Sequence, residues 1–332
     1  MLTALEICAG AGGQALGLEQ AGFRHLALVE IDQHACETLR LHWEHQIVVQ
    51  QDIAQFRAHR YRGGVDLFAG GVPCPPFSKA GLQLGEDDER DLFPEALRLI
   101  GECRPRAVML ENVPGLLDER FRLYRQSITH RLVAMGYRAS ESSWHKVNAC
   151  DYGVPQLRPR VLLVCFRQDV NASFAWPKPR TAPPITIGKA LLPLMASNGW
   201  VGATEWAGKA NGVAPTLVGG SKKHGGPDLG PTRARQAWAQ LGVNGKSIAD
   251  SPPPPDFSGV PRLTLEMAAV TQGFPNGWTF AGKKTPAYRQ IGNAFPPPVA
   301  TAVGKAVRRT LLEDEVSPQL ALPLETFAVA AG

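Results

Sequence analysis

Val65-Asp66-Leu67-Phe68-Ala69-Gly70-Gly71-Val72-Pro73-Cys74-Pro75-Pro76-Phe77-Ser78 is an apolar run that breaks into glycines and then into prolines around one thiol. Residues 65–69 read as a buried strand. Proline fixes φ and lacks an N–H, so the remainder must be a stiff, extended loop rather than a helix. Cys74 therefore falls just past a strand's carboxyl end, where open α/β sheets hold their ligands. A rigid loop presenting one thiolate can aim a nucleophile. A free cysteine can equally be an inert core residue, so the surrounding chain has to decide.

Working outward, the same grammar repeats on both sides. Strand patterns cover 2–8, 26–30, 47–50, 107–111, 137–147 and 161–166, and helix patterns cover 14–21, 34–45, 93–103 and 121–135. Strands alternating with helices predict an α/β fold, a doubly wound and mostly parallel sheet. The texture changes near residue 169. From there to 261 the chain is rich in Gly and Pro and short on periodicity, as in Gly219-Gly220-Ser221-Lys222-Lys223-His224-Gly225-Gly226, and it reads as a smaller, loop-rich domain. Helical patterning returns at 263–272 and 298–312, segments too short to stand alone. The expected division is 1–168 with 262–312 as one catalytic and cofactor-binding domain, 169–261 as a second domain, and 313–332 as a loosely ordered tail.

Composition bounds the function classes. A chain of 332 residues with 44% hydrophobic content can bury a large core across roughly two domains. The start lacks the basic, then apolar pattern of a signal peptide, and no run of about 20 apolar residues exists to span a membrane. Six cysteines without a CxxC pair are no disulfide scaffold, which points to a reducing, cytoplasmic compartment. The net charge is +5, and residues 170–260 carry all of that excess, with nine Lys or Arg against four Asp or Glu. A local basic surface suggests a nucleic-acid partner, although solvated charge would look the same.

Three further signals carry chemistry. Ala9-Gly10-Ala11-Gly12-Gly13 follows the first strand and lets backbone approach a ligand closely. Glu30 ends the second strand about twenty residues on, where a carboxylate accepts from a ribose, and Asp52 follows the third. These predict a cofactor containing a nucleoside, with NAD and S-adenosylmethionine both open. Glu111-Asn112-Val113-Pro114 puts a carboxylate at the same sheet edge as Cys74, a combination suited to covalent catalysis with proton transfer. Gln156-Leu157-Arg158-Pro159-Arg160 sets two arginines on one side of an extended segment, able to hold phosphate or a polar ring edge. His34, His42 and His45 share one helix pattern without a closed ligand set, so no metal site is expected.

Taken in order, these motifs resemble those of the bacterial DNA cytosine-5 methyltransferases of restriction–modification systems. They are the glycine turn, Pro73-Cys74, Glu111-Asn112-Val113, Gln156-x-Arg158-x-Arg160, Arg262-Leu263-Thr264 with Gln272-Gly273-Phe274-Pro275, and Gly292-Asn293-Ala294. The resemblance spans most of 1–168 and 262–310 and implies a Rossmann-like, S-adenosylmethionine-dependent fold. It implies that Cys74 attacks C6 of a flipped-out cytosine in duplex DNA, that Glu111 contacts N3 and the exocyclic amine, and that Arg160, with its neighbour Arg158, helps hold the intermediate. It implies cofactor contacts from Ala9, Gly10, Gly12, Gly13, Glu30, Ile31, Asp52, Ile53, Pro73 and Asn293, and no metal. The loop from Ser78 to Phe93 resembles the one that closes over the base, and 169–261 the target-recognition region. Within these, Ser78, Lys222, Lys223, His224, Arg233 and Arg235 are candidates for DNA contacts. One departure stands out: the family's usual aromatic before Ala-Gly is Cys8 here. Alternatives are an RNA cytosine-5 methyltransferase and a catalytically silent DNA-binding relative. The protein is expected to be a monomer at the nucleoid. In the tail, Gln319-Leu320-Ala321-Leu322-Pro323-Leu324 resembles the peptide that docks on the replication sliding clamp.

Overall fold

The alternation of apolar runs and helix patterns is realised as one twisted sheet with helices on both faces. The computed structural model describes residues 1–73, 91–219 and 226–316. In chain order its first half runs β1 (Leu2–Ile7), α1 (Gly13–Gln20), β2 (Phe23–Glu30), α2 (Gln33–His42), β3 (Val48–Gln50), β4 (Leu67–Gly71), α3 (Phe93–Cys103), β5 (Ala107–Asn112), α4 (Arg122–Ala134), β6 (Tyr137–Arg138), β7 (Trp144–Asn148) and β8 (Pro159–Arg167). The sheet order is β3-β2-β1-β4-β5-β8, with β6 and β7 both on the outer edge of β8. Strands β1 to β5 are parallel and β8 runs antiparallel to β5.

The segment 137–147, expected as one strand, is two. Glu141–Ser143 forms a helical turn between them, and the Ser140 N–H donates to Ser143 Oγ at 3.1 Å. Short hydroxyl side chains that bond nearby backbone compete with ladder bonds in this way.

Period-2 alternation sends successive strand residues to opposite layers. Leu5, Ile7, Phe68 and Leu110 pack beneath Leu97 and Ile100 of α3. Ala4, Leu67 and Met109 face the other way, toward Leu18 of α1 and Val299, Val303 and Val307. Those valines belong to the last described helix, Pro297–Val316, which packs along α1. Strand order reverses between β1 and β4, so a crevice opens at their carboxyl ends.

Among the described residues, the region read as loop-rich holds three helices, α5 (Ile187–Ala196), α6 (Ala203–Lys209) and α7 (Thr232–Gln240). Each hid its period. Pro193 interrupts α5, α6 is under two turns, and α7 buries only Trp238. They share an apolar cluster with Met267 and Ala268 of α8 (Leu265–Gln272) and Tyr288 and Ile291 of α9 (Lys284–Asn293). The return segment thus divides its packing. The helices α8 and α9 bury side chains with 187–248, whereas α10 (Pro297–Val316) completes the sheet's layer.

Candidate active site

The glycine turn is shaped by positive φ and by close packing. Cys8 and Gly10 follow β1 at φ 51 and 54, in the left-handed region where a side chain is a liability. At Gly13 a Cβ would stand 2.3 Å from the Phe295 carbonyl oxygen, so only glycine lets α1 meet the segment before α10. The Gly10 N–H donates to Glu30 Oε2, and the N–H groups of Ile31 and Asp32 donate to Glu30 Oε1, all at 2.8 Å. Glu30 thereby ties the β1 turn to the β2 turn, and its Oε2, which takes one donor, retains a lone pair.

A cavity of about 320 Å³ lies above these turns. It runs from Glu30, Ile31 and Asp32 at the β2 end, past Cys8, Ala9, Gly10 and Gly13, to Gly71, Pro73 and Glu111 at the ends of β4 and β5. Asn293, Ala294 and Phe295 close another side. Three expected cofactor residues stand back from it. Gly12 lies against Trp43, where a Cβ would come within 2.5 Å of the ring. Asp52 accepts from the Ala54 N–H at 2.9 Å, and Ile53 is buried in the core. Asp52 is still close enough to raise the Cys8 thiol, although burial is the larger cause and Glu30 and Glu6 also contribute. Sequence reasoning missed Glu6, Gln14, Asp32, Leu92, Arg289 and Gln290 in the lining. Only Asp32 carried a local signal, as the N-cap that accepts from the Ala35 N–H at 3.2 Å.

At the far end, Gly71 and Glu111 are register partners on β4 and β5. Glu111 Oε1 is 2.7 Å from Arg160 Nε, with both side chains about 15% exposed (15% and 14%). Asn112 Nδ2 donates to the Val72 carbonyl at 2.8 Å and its Oδ1 accepts from the Val113 N–H, so one amide fixes the backbone ahead of Pro73. Arg158 does different work. It is 1% exposed, and its guanidinium donates to the carbonyls of Leu217, Gly292 and Ala294 at 2.8, 2.8 and 3.0 Å. Burial, with Arg160 adding repulsion, holds its pKa well below the usual arginine range.

Cys74, Ser78, Lys222, Lys223, His224 and residues 319–324 lie outside the described residues. Arg233 is exposed on α7, and Arg235 Nη2 is 3.4 Å from Thr232 Oγ1. His34 lies 3.2 Å from Glu37 Oε2, and the His42 ring stacks on Trp278 at 3.5 Å. Among the described residues, no helix is long and apolar enough to cross a membrane.

The family model for C-5 cytosine-specific DNA methylases matches residues 2–309. The chain belongs to that family. The methylase is 55% identical over 315 residues to Type II methyltransferase M.NaeI of Lentzea aerocolonigenes, a match spanning 93% of this chain and 75% of that protein. It is 52% identical over 319 residues to Type II methyltransferase M.NgoMIV of Neisseria gonorrhoeae, spanning 94% and 99%. A solved prophage-encoded E. coli protein, described as a DNA modification methyltransferase, superposes with TM-score 0.66 at 25% identity, over 94% of this chain and all of that one. The resemblance read from six ordered motifs, the Rossmann-like fold and the assignment as a DNA cytosine-5 methyltransferase therefore stand.

Proposed function

We propose that the methylase transfers a methyl group from S-adenosylmethionine to C5 of a cytosine flipped out of a specific duplex DNA sequence, through a covalent bond between Cys74 and C6. The observation that carries this reading is one continuous cavity with Glu30 bracketed at one end and Glu111, paired with Arg160, at the other, with Pro73, the residue before Cys74, on its wall. The residues present fit the cofactor. Backbone at Gly10 leaves open space for a ligand, and Glu30 keeps acceptor capacity for ribose hydroxyls.

The cofactor, when bound, supplies an electrophilic methyl group. The chain's residues do the rest. C5 of cytosine is a poor nucleophile, and addition of the Cys74 thiolate at C6 makes it enamine-like. Glu111 contacts N3 and the exocyclic amine as the ring gains electron density, and Arg160 fixes the Glu111 carboxylate and faces the ring's polar edge. Loss of the C5 proton and expulsion of Cys74 restore the ring. A base inside a duplex is unreachable, so it must leave the stack, at a cost of a few kcal/mol offset by pocket contacts. Lys222, Lys223, His224, Arg233 and Arg235, with Ser78, are the proposed DNA contacts, and 169–261 the region that reads sequence. The role extends to protecting DNA beside a cognate endonuclease, as a single chain at the nucleoid. Residues 319–324 would dock it on the sliding clamp, and a clamp pull-down that ignores Gln319→Ala with Leu322→Ala rejects that part.

The central test measures tritium transfer from labelled cofactor to duplex DNA by the full chain. Cys74→Ser should abolish transfer while duplex binding persists. Unchanged transfer would reject the nucleophile.

A further inference from the structure

The β3 edge of the sheet carries a basic surface that the methyl-transfer site does not use. Between β3 and β4, the stretch Phe56-Arg57-Ala58-His59-Arg60-Tyr61-Arg62 interleaves apolar and cationic residues. Phe56 and Ala58 are buried in the core, whereas Arg57, His59, Arg60 and Arg62 are exposed. The backbone beneath them is held from α3. Arg98 Nη2 donates to the carbonyls of Ile53 and Phe56 at 2.8 and 3.1 Å, and Glu102 Oε2 accepts from the Ala58 N–H at 2.6 Å. A fixed segment therefore presents the arginines, beside a groove of about 570 Å³ that Gln51, Gln55, Arg57 and Arg60 help to line.

The charge of this stretch is uncompensated. Among the described residues, Arg57, Arg60 and Arg62 form no ion pair, and the acids of the adjoining helix are committed: Glu102 to Arg98 and His59, Glu95 to Arg98. Elsewhere Arg106, Arg122, Arg125 and Arg167 each pair with a carboxylate. Arg57 turns one nitrogen to the carbonyls of Ala54 and Phe56, and Arg60 lies over the Tyr61 ring at 4.7 Å, so both keep donors to spare. Unpaired guanidiniums set this close repel one another, and a polyanion relieves that repulsion.

Position selects the polyanion. In the sheet order β3-β2-β1-β4-β5, the β3 edge stands four inter-strand spacings from Glu111 on β5. At about 4.8 Å each this is about 19 Å, or about six base pairs of B-DNA. The segment leaves the carboxyl end of β3, the side of the sheet on which the cavity opens. We propose that Arg57, Arg60 and Arg62 bind the phosphate backbone of duplex DNA flanking the methylated site, whatever its sequence. The inference rests on duplex DNA as the substrate. The guanidinium fork suits phosphate oxygens, and phosphate contacts position a duplex without reading it.

Duplex length separates this surface from the recognition interface. Duplexes of about 10 and about 40 base pairs, each centred on one site that bisulfite sequencing shows to be methylated, put the flank out of reach and within it. By fluorescence anisotropy the full chain should bind the longer duplex about tenfold more tightly. The triple variant Arg57→Gln, Arg60→Gln and Arg62→Gln should lose that gain, and the slope of its log affinity against log salt should shrink by about 2 to 3. Its binding and methylation of the short duplex should stay within about twofold of wild type, which also shows that it is folded. Arg57→Lys, Arg60→Lys and Arg62→Lys together should keep most of the gain, because counterion release counts charge. A gain that survives the glutamine substitutions, an equal loss on both lengths, or wild-type protein with no gain overturns the surface. Wild-type protein that methylates neither duplex would instead bring down duplex DNA as the substrate, and the surface with it.

Discussion

Glu111 on β5 and Arg160 on the antiparallel strand β8 meet at 2.7 Å, one position along from where Asn112 holds the Val72 carbonyl. A carboxylate so held can face a cytosine edge without rotating away. Glu111→Gln keeps the shape and loses the charge. It should cut methyl transfer by about 10²- to 10⁴-fold, the range of a positioned proton-handling group. Arg160→Lys should also fail, because a point charge does not replace the guanidinium fork. Single-turnover rates beside duplex affinities measure this, and affinity should change little.

Asn112 sets the loop from the other side. Its Nδ2 is the donor that meets the Val72 carbonyl, two residues before Cys74. Asn112→Leu is close in volume, removes the donor and leaves a buried carbonyl short of a partner, at about 1–3 kcal/mol. Misplacing a nucleophile by a fraction of an ångström can cost about a hundredfold in rate. The expected result is slow transfer with unchanged S-adenosylhomocysteine affinity, and a wild-type rate would show that Asn112 does not position the loop.

Arg158 joins three parts of the chain through the carbonyls of Leu217, Gly292 and Ala294. Arg158→Met should destabilise the fold by about 2 kcal/mol, since three acceptors lose a charged donor while a costly buried cation is relieved. Urea unfolding gives the number. If the variant is as stable as wild type but inactive, Arg158 acts at the reacting base and not as a tie.

How much of this was legible in the sequence follows from the range of each interaction. Glu30, Cys74 and Glu111 announce themselves because strand ends and glycine turns are local patterns. The helices α5 to α7 did not. Pro193 breaks one apolar stripe and polar residues dilute another, so tertiary burial of Trp206 and Trp238 holds what propensity does not. The separate work of Arg158 and Arg160 was also invisible. Two arginines in an extended segment look alike until Leu217 and Ala294, both far along the chain, supply the carbonyls that take one of them.

Gly13 offers a steric test of the turn. A Cβ there would meet the Phe295 carbonyl at 2.3 Å and Ala294 Cβ at 3.2 Å. Backbone cannot swing aside as a side chain can, so Gly13→Ala should cost about 1–3 kcal/mol as overpacking. Because Ala294 and Phe295 line the cavity, S-adenosylhomocysteine should bind more weakly as well. Gly63→Ala, at a positive φ with open space around it, gives the comparison for backbone strain alone, and cofactor binding there should be unaffected.

His25 predicts an acid limit. Its ring is buried beside Trp43, with Nε2 at 3.0 Å from the Ala15 carbonyl and Nδ1 unpartnered. Burial lowers its pKa from 6.5 to about 4. The unfolded chain therefore binds a proton below pH 6.5 that the folded chain refuses until about pH 4. Unfolding takes up that proton, so stability contributed by the neutral ring is complete above pH 6.5 and is lost as pH falls from 6.5 toward 4, by roughly 3 kcal/mol in all. His25→Phe removes the titration and keeps an aromatic ring against Trp43. Urea unfolding at pH 7.5 and pH 4.5 should show the variant losing less stability than wild type across that interval, and parallel losses would show that the ring does not stay neutral in the fold.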